Sequence, residues 1–295
     1  MALNNMDQIQ RRYIKHPTGQ TIEILVIDHP ACYAEVALQG GQLLKFYVKK
    51  HQQDLLWCTD ETTFQPNKAI RGGIPLCFPW FGAHPTQAQL PSHGIARQNI
   101  WQLTEAKTLD AGEQMIVLSL KDSAETRKVW DYAFRVDMQM IFSDQLSVSL
   151  HTHNMDVKPF DYESALHTYY AISDIEKIHI KGLEGISFRD QLANDHVLRQ
   201  ESCSIEINKE IDRVYQDVKG DCIVQDIERR IEIAAPQCQS AVVWNPWSAK
   251  ARALGDIQGE GWRKFVCIEN GQIKPHTTTL PAGQSDCYQL KVKML

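Results

Sequence analysis

Glu269 and His167 are the two residues of this chain whose surroundings suit acid–base chemistry. Glu269 stands in Phe265-Val-Cys-Ile-Glu269-Asn-Gly271, at the end of an apolar run. A carboxylate is costly to bury unless it is paired or its pKa rises. A raised pKa is what a general base working near neutral pH requires. His167 stands in Ser164-Ala-Leu-His167-Thr-Tyr-Tyr-Ala-Ile172. In an extended strand it shares a face with Ala165, Tyr169 and Ala171, and the small neighbours leave room for a ligand. Both residues also have plainer readings. His167 could be a core histidine bonded to backbone. Glu269 could be a strand-end acid facing solvent ahead of a turn at Asn270-Gly271.

A second group of residues suits an anionic sugar. The block Arg71-Gly-Gly-Ile-Pro-Leu-Cys-Phe-Pro-Trp-Phe-Gly82 continues to Ser92-His93-Gly94-Ile95-Ala96-Arg97. Pro75 and Pro79 keep it out of the middle of a sheet, and Gly72 and Gly73 permit unusual turns. Arg71 and Arg97 flank a loop rich in aromatic rings. Such rings suit the C–H face of a sugar, and guanidinium forks suit phosphate. A structural loop with two solvent arginines is the plainer account. Asp212, in Glu210-Ile-Asp212-Arg-Val-Tyr215, follows a strand candidate and reads by itself as a surface acid. His151 and His153 share a strand face, but it is polar and offers no third ligand, so no metal site is expected.

The elements that must carry these residues are strands. Phe134, Val136, Met138, Met140 and Phe142 alternate with mostly polar residues. Ser143-Asp144-Gln145 can turn, and Leu146, Val148 and Leu150 resume the alternation. Tyr288, Leu290, Val292 and Met294 repeat it at the C-terminus. This period of two marks antiparallel strands with one buried face. Further strand candidates are Thr21–Asp28, Cys32–Leu38, Met115–Leu120, Lys177–Ile180, Ile205–Ile207, Ile231–Ala234, Ala241–Trp244 and Phe265–Glu269. Met1–Pro30 is expected to add an edge strand. The best helical stretch, Asp122–Asp131, is short. Two blocks, Arg71–Arg97 and Trp244–Trp262, break the alternation and read as loops on a β scaffold, where sites tend to sit. With no repeat and no linker, residues 1–295 are expected to form one all-β domain.

Composition excludes several classes. The formal net charge is 31 − 36 = −5, which lacks the basic field of a general nucleic-acid binder. It also gives an anionic ligand no global attraction, so local cations must hold one. Eight cysteines are scattered without a C-x-x-C pair. The N-terminal MALNNMDQIQRRY has no apolar h-region, and no apolar run reaches membrane length. Reduced thiols in a cytoplasmic protein are the expectation, with no membrane or nucleic-acid partner.

Taken in order, RGGIPLCFPWFG, SHGIAR, ALHTYY, EIDRVY and WNPW followed by KFVCIENG resemble the hexose-6-phosphate mutarotases. These are also called glucose-6-phosphate 1-epimerases, and form a branch of the galactose-mutarotase-like superfamily. The resemblance runs from about Gly40 to the C-terminus. It implies a large antiparallel β-supersandwich with the site on its concave face. It implies a cofactor-free isomerase that interconverts the α and β anomers of an aldohexose 6-phosphate such as glucose 6-phosphate.

By the same resemblance, His167 is the catalytic histidine and Glu269 the catalytic glutamate; ring opening then assigns Glu269 as the base and His167, protonated, as the acid, each ion favouring the charge of the other. Arg71 and Arg97 engage the substrate, including its phosphate. Asp212 contacts sugar hydroxyls. Ser92 belongs to the binding loop, and His93 approaches the ring. Ser92 and Ile95 depart from the residues common in the family, Gln and Phe, which touches fine contacts and not the reaction. No metal or cofactor is called for, the partner is a small phosphorylated sugar, and a monomer is expected. The alternatives are an aldose 1-epimerase for unphosphorylated sugars, a carbohydrate-binding protein without turnover, and a β-sandwich interaction module.

Overall fold

The computed structural model describes residues 9–295. The N-terminal reading on a leader peptide rests partly on residues 1–8 and lies outside the described residues. The chain forms antiparallel sheets, including one of five strands and two of eight. The alternation over Phe134–Phe142 is realised, with each even position buried. Its partner Gln145–Asn154 pairs on its other side with Ser285–Met294, which joins distant parts of the chain in one sheet. The expected edge strand is Gln10–Lys15, paired to Thr21–His29 in the five-stranded sheet. A continuous set of buried apolar side chains runs from Leu25 to Met294.

The second eight-stranded sheet carries the candidate site. Its centre is Phe265–Gln272, in which the first seven residues are all buried. A strand covered on both faces shows no alternation, which is why it reads as a plain apolar run. On one side it pairs with Ser240–Asn245, with Val242 opposite Glu269 and Trp244 opposite Cys267. Ser240–Asn245 pairs in turn with Ile211–Gln216, with Asp212 opposite Trp244. On the other side Phe265–Gln272 meets two short strands, Ser164–Leu166 and Tyr169–Ala171.

Several sequence expectations are corrected here. Asn270-Gly271 is no turn: both residues lie within the strand. The glycine answers a close approach instead, since a Cβ on Gly271 would lie 2.0 Å from the Ser164 carbonyl oxygen. His167 does not sit in one continuous strand but in the break between two. Asp212 lies inside a strand and does not follow one. Ile205–Ile207 is no strand: Ile205 makes an isolated bridge to Ile180. Lys177–Ile180 splits between the end of a 3-10 turn, Ile175–Lys177, and the strand His179–Lys181. The Asp122–Asp131 stretch reduces to one helical turn, Ala124–Arg127. The block Trp244–Trp262 is not all loop: it holds the helix Trp247–Leu254, ended by Gly255 in a left-handed conformation.

Candidate active site

Strand register brings the site together. Directly opposed residues of an antiparallel ladder share a face, as do residues two apart on one strand. Asp212, Trp244, Cys267 and Tyr169 therefore lie in one row across four strands, with Val242 and Glu269 in the next. The Ile268 amide donates to the Thr168 carbonyl at 3.2 Å, so the interrupted strand stays attached at its break. The register is the same on both sides of the break, and it puts His167 opposite Glu269 on one face. Their Nε2 and Oε1 atoms lie 3.2 Å apart, and both side chains are nearly sealed from bulk solvent, at 7% and 2% exposure.

The Arg71–Arg97 loop closes over this row. It is stitched to the sheet by main-chain bonds: the Tyr169 amide donates to the Gly73 carbonyl and the His167 amide to the Pro75 carbonyl. Its two ends meet where the Ile95 amide donates to the Phe78 carbonyl at 2.8 Å. Gly94 permits that approach, because a Cβ there would lie 2.0 Å from the Phe78 oxygen and its φ is +77°. Arg71 donates through Nε to Asp256 at 2.6 Å and through Nη1 to the Tyr169 hydroxyl at 3.2 Å. Arg97 donates through Nη2 to the Ser92 carbonyl at 2.9 Å, while its Nε is buried without a partner.

The result is a cavity of about 420 Å³ lined by every residue singled out in the sequence: Arg71, Ser92, His93, Arg97, His167, Asp212 and Glu269. The sequence did not single out Gln191 or Lys250, which also line it. Lys250 reaches the cavity from the helix Trp247–Leu254 and is paired with Glu210 at 2.9 Å. The helix-forming run Ser248-Ala-Lys-Ala-Arg-Ala-Leu254 was the signal for it. Among the aromatic rings of the two loop blocks, Phe81 and Trp244 line the cavity. Trp80 is buried, with its indole N–H given to the Pro91 carbonyl. Trp247 packs on Trp262.

Burial dominates the electrostatics. It pushes the Glu269 carboxyl well above its ordinary value, with the Asp212 charge adding and Arg97 opposing. Burial likewise pushes His167 well below its ordinary value, helped by His93, Arg97 and Arg71. The expectation that ionised Glu269 and His167 hold each other charged therefore does not describe the free site: loss of water outweighs their attraction. Asp212 is pushed up to about 6, by burial first and by Glu210 next, against Lys250. Burial and the two arginines push His93 down to about 3. Its Nδ1 accepts from the Gly82 amide at 3.3 Å, which leaves Nε2 as the N–H of a neutral ring.

His167, Glu269 and Cys267 offer three metal-ligand atoms within 4.8 Å of one another. A metal takes cysteine as the thiolate, and burial drives the Cys267 thiol pKa well up, so it stays protonated. The set fits proton exchange better than ligation. His151 and His153 give no metal pair either: His153 contacts Ser285 and Asp137, and His151 faces Cys287. All eight cysteines are unpaired, five of them buried. Among the described residues, no helix is long and apolar enough to cross a membrane.

Residues 23–293 match the family described as aldose 1-epimerase. A relative from Escherichia coli (strain K12), named as a candidate glucose-6-phosphate 1-epimerase, is 33% identical over 252 residues, covering 84% of this chain and 82% of that protein. A candidate mutarotase (YeaD) from Salmonella typhimurium has a crystal structure that superposes with a TM-score of 0.89 at 27% identity, covering 100% of this chain and 96% of that one. A galactose mutarotase related enzyme from Lactobacillus acidophilus shares the fold at a TM-score of 0.73 and 13% identity, over 92% of this chain and 97% of that one. On these matches the chain belongs to the aldose 1-epimerase family and is an isomerase of the mutarotase type.

Proposed function

We propose that the substrate is an aldohexose 6-phosphate, with glucose 6-phosphate the reference case, and that Glu269 and His167 carry the proton transfers. The observation that carries this reading is the presence of two guanidiniums, Arg71 and Arg97, in the cavity that holds the buried Glu269–His167 pair. Arg71 already answers Asp256, whereas Arg97 donates to a neutral carbonyl, so a neutral sugar leaves the Arg97 charge without a counterion. Charge-assisted hydrogen bonds contribute roughly 1.5–3 kcal/mol each, so two favour the phosphate ester by roughly 3–6 kcal/mol.

The chemistry opens and recloses a hemiacetal. Glu269 removes the proton of the C1 hydroxyl while His167 protonates the ring oxygen O5. The C1–O5 bond breaks and a free aldehyde forms. Rotation about C1–C2 presents the other carbonyl face, and the steps reverse with acid and base exchanging roles. Atoms and protons balance within the pair and the sugar. In the free site the neutral pair differs from the working carboxylate–imidazolium pair by one proton moved between Oε1 and Nε2, 3.2 Å apart. Arg71 and Arg97 help to depress His167. A phosphate bound between them cancels part of that field, so the substrate itself favours the imidazolium. On this reading Asp212 and the His93 N–H, both in the cavity wall, take sugar hydroxyls, and Ser92 shapes the wall that Arg97 holds.

This reading takes the chain as one domain, supported by the buried core that runs from Leu25 to Met294. It places the protein in the cytoplasm, supported by eight cysteines left unpaired. The test is anomer exchange at equilibrium, followed by NMR magnetisation transfer on glucose 6-phosphate and on free glucose and galactose. Exchange much faster for the phosphate supports the reading. Equal exchange for free sugars returns the substrate to unphosphorylated aldoses, and no exchange for any sugar leaves a binding protein.

A further inference from the structure

Catalytic histidines are commonly oriented by a hydrogen bond on the nitrogen that faces away from the reaction. His167 lacks one: its Nδ1 is buried and meets no hydrogen-bond partner beyond its own residue. Its plane is set by rings instead. Tyr169 stacks on it almost parallel, with centroids 4.8 Å apart and planes 8° apart. Trp244 meets both rings edge-on, at 5.8 and 6.0 Å. Tyr169 is itself fixed, by Trp57 and Phe265 on its flanks and by the Arg71 guanidinium donating to its hydroxyl at 3.2 Å. Burial raises the phenol pKa, so that hydroxyl stays intact and can accept this bond at working pH.

The same arginine that faces the cavity thus holds the ring that holds the histidine. We propose that Tyr169 is a positioning residue that ties the anion grip of Arg71 to the orientation of His167, so that a phosphate on the sugar is read in kcat as well as in KM. This rests on the phosphorylated-sugar reading for its substrate half. The stacking half does not depend on it. A phosphate that engages the free Nη2 of Arg71 fixes the guanidinium, the phenol and the imidazole plane together. A sugar without phosphate leaves that chain loose at its cavity end.

Two variants separate the halves. Tyr169→Phe keeps the ring and removes the hydroxyl. Tyr169→Leu removes the stack. Each is measured on glucose 6-phosphate and on free glucose, beside the NMR shifts of the His167 ring protons, which feel the ring current of a stacked neighbour. Tyr169→Phe is expected to keep the His167 shifts. It should raise KM for the phosphate about tenfold and lower its kcat severalfold, while values for free glucose stay within about twofold. Tyr169→Leu is expected to move the His167 shifts and lower kcat on both sugars by about tenfold or more. If Tyr169→Phe leaves both constants for the phosphate unchanged, the coupling to Arg71 is overturned, even should Tyr169→Leu not fold. If Tyr169→Leu folds and changes neither shifts nor kcat, the positioning role is overturned. A wild-type enzyme indifferent to phosphate that still loses turnover and shifts its His167 signals in Tyr169→Leu would refute the substrate reading and support the stack.

Discussion

His167 Nε2 and Glu269 Oε1 lie 3.2 Å apart on neighbouring strands, one residue in a break of its strand and the other in the middle of a fully buried one. Everything that a two-proton exchange needs is in this pair, and burial opposes the charge on both members.

Glu269→Gln should therefore separate activity from stability. Turnover is expected to fall by about 10³-fold, within reach of the loss of one positioned base. Stability should move the other way. The folded state raises the Glu269 pKa, so above its unfolded value of about 4.3 the native protein holds more protons than the unfolded chain. Stability is then lost as pH rises through that window. The glutamine removes this cost, and should raise the melting temperature at pH 8 by about 2–6 °C, less toward pH 5. Calorimetry across pH decides; no gain at pH 8 would contradict the burial argument.

Arg97→Ala should raise KM for glucose 6-phosphate by about 10–100-fold and leave free glucose within about threefold, since one charge-assisted bond contributes roughly 1.5–3 kcal/mol. Steady-state kinetics on both sugars check this. A similar loss on each would remove the arginine from phosphate binding.

Asp212→Asn tests the coupling of the two cavity acids. The Asp212 charge helps to raise Glu269, and Asp212 itself sits near 6. The wild-type pH profile of kcat/KM should be bell-shaped, with its alkaline limb set by loss of the proton that the resting pair keeps on Glu269. Without the Asp212 charge that limb should move to lower pH by about half a unit or more. KM is expected to rise as well if the carboxylate holds hydroxyls, but only the limb position reports the coupling. A limb that stays put would show that burial alone sets Glu269.

Gly271→Ala should be destabilising by about 3 kcal/mol or more, because the added methyl would lie 2.0 Å from the Ser164 oxygen and 2.7 Å from Ala165 Cα. Denaturant unfolding measures it. A loss under about 1 kcal/mol would mean the two strands can part without harm.

Much of this was legible from residue order. Where one face meets solvent, as in Phe134–Phe142, alternation gives the strand directly. Where both faces are covered, alternation vanishes, and Phe265–Gln272 showed only as an apolar run that ended too early at Glu269. The Asn270-Gly271 pair looked like a turn because local propensity cannot see a facing backbone. The seven site residues were picked out by type and motif, and the cavity gathers them all. Lys250 and Gln191 were missed because a lone lysine or glutamine carries no local mark of the space it faces. Tyr169 was noticed only as a neighbour of His167, and its partnership with Arg71 arises from contact between distant parts of the chain.

The interrupted strand has a last consequence. Glu269 is held in an unbroken ladder, and His167 hangs from a segment bonded at both flanks to that same ladder. If the pair exchanges protons as proposed, neither residue follows C1 when its hydroxyl changes sides, and the pivoting falls to the open-chain sugar. Like any catalyst the pair hastens both directions alike, and the final proportion of anomers remains a property of the sugar.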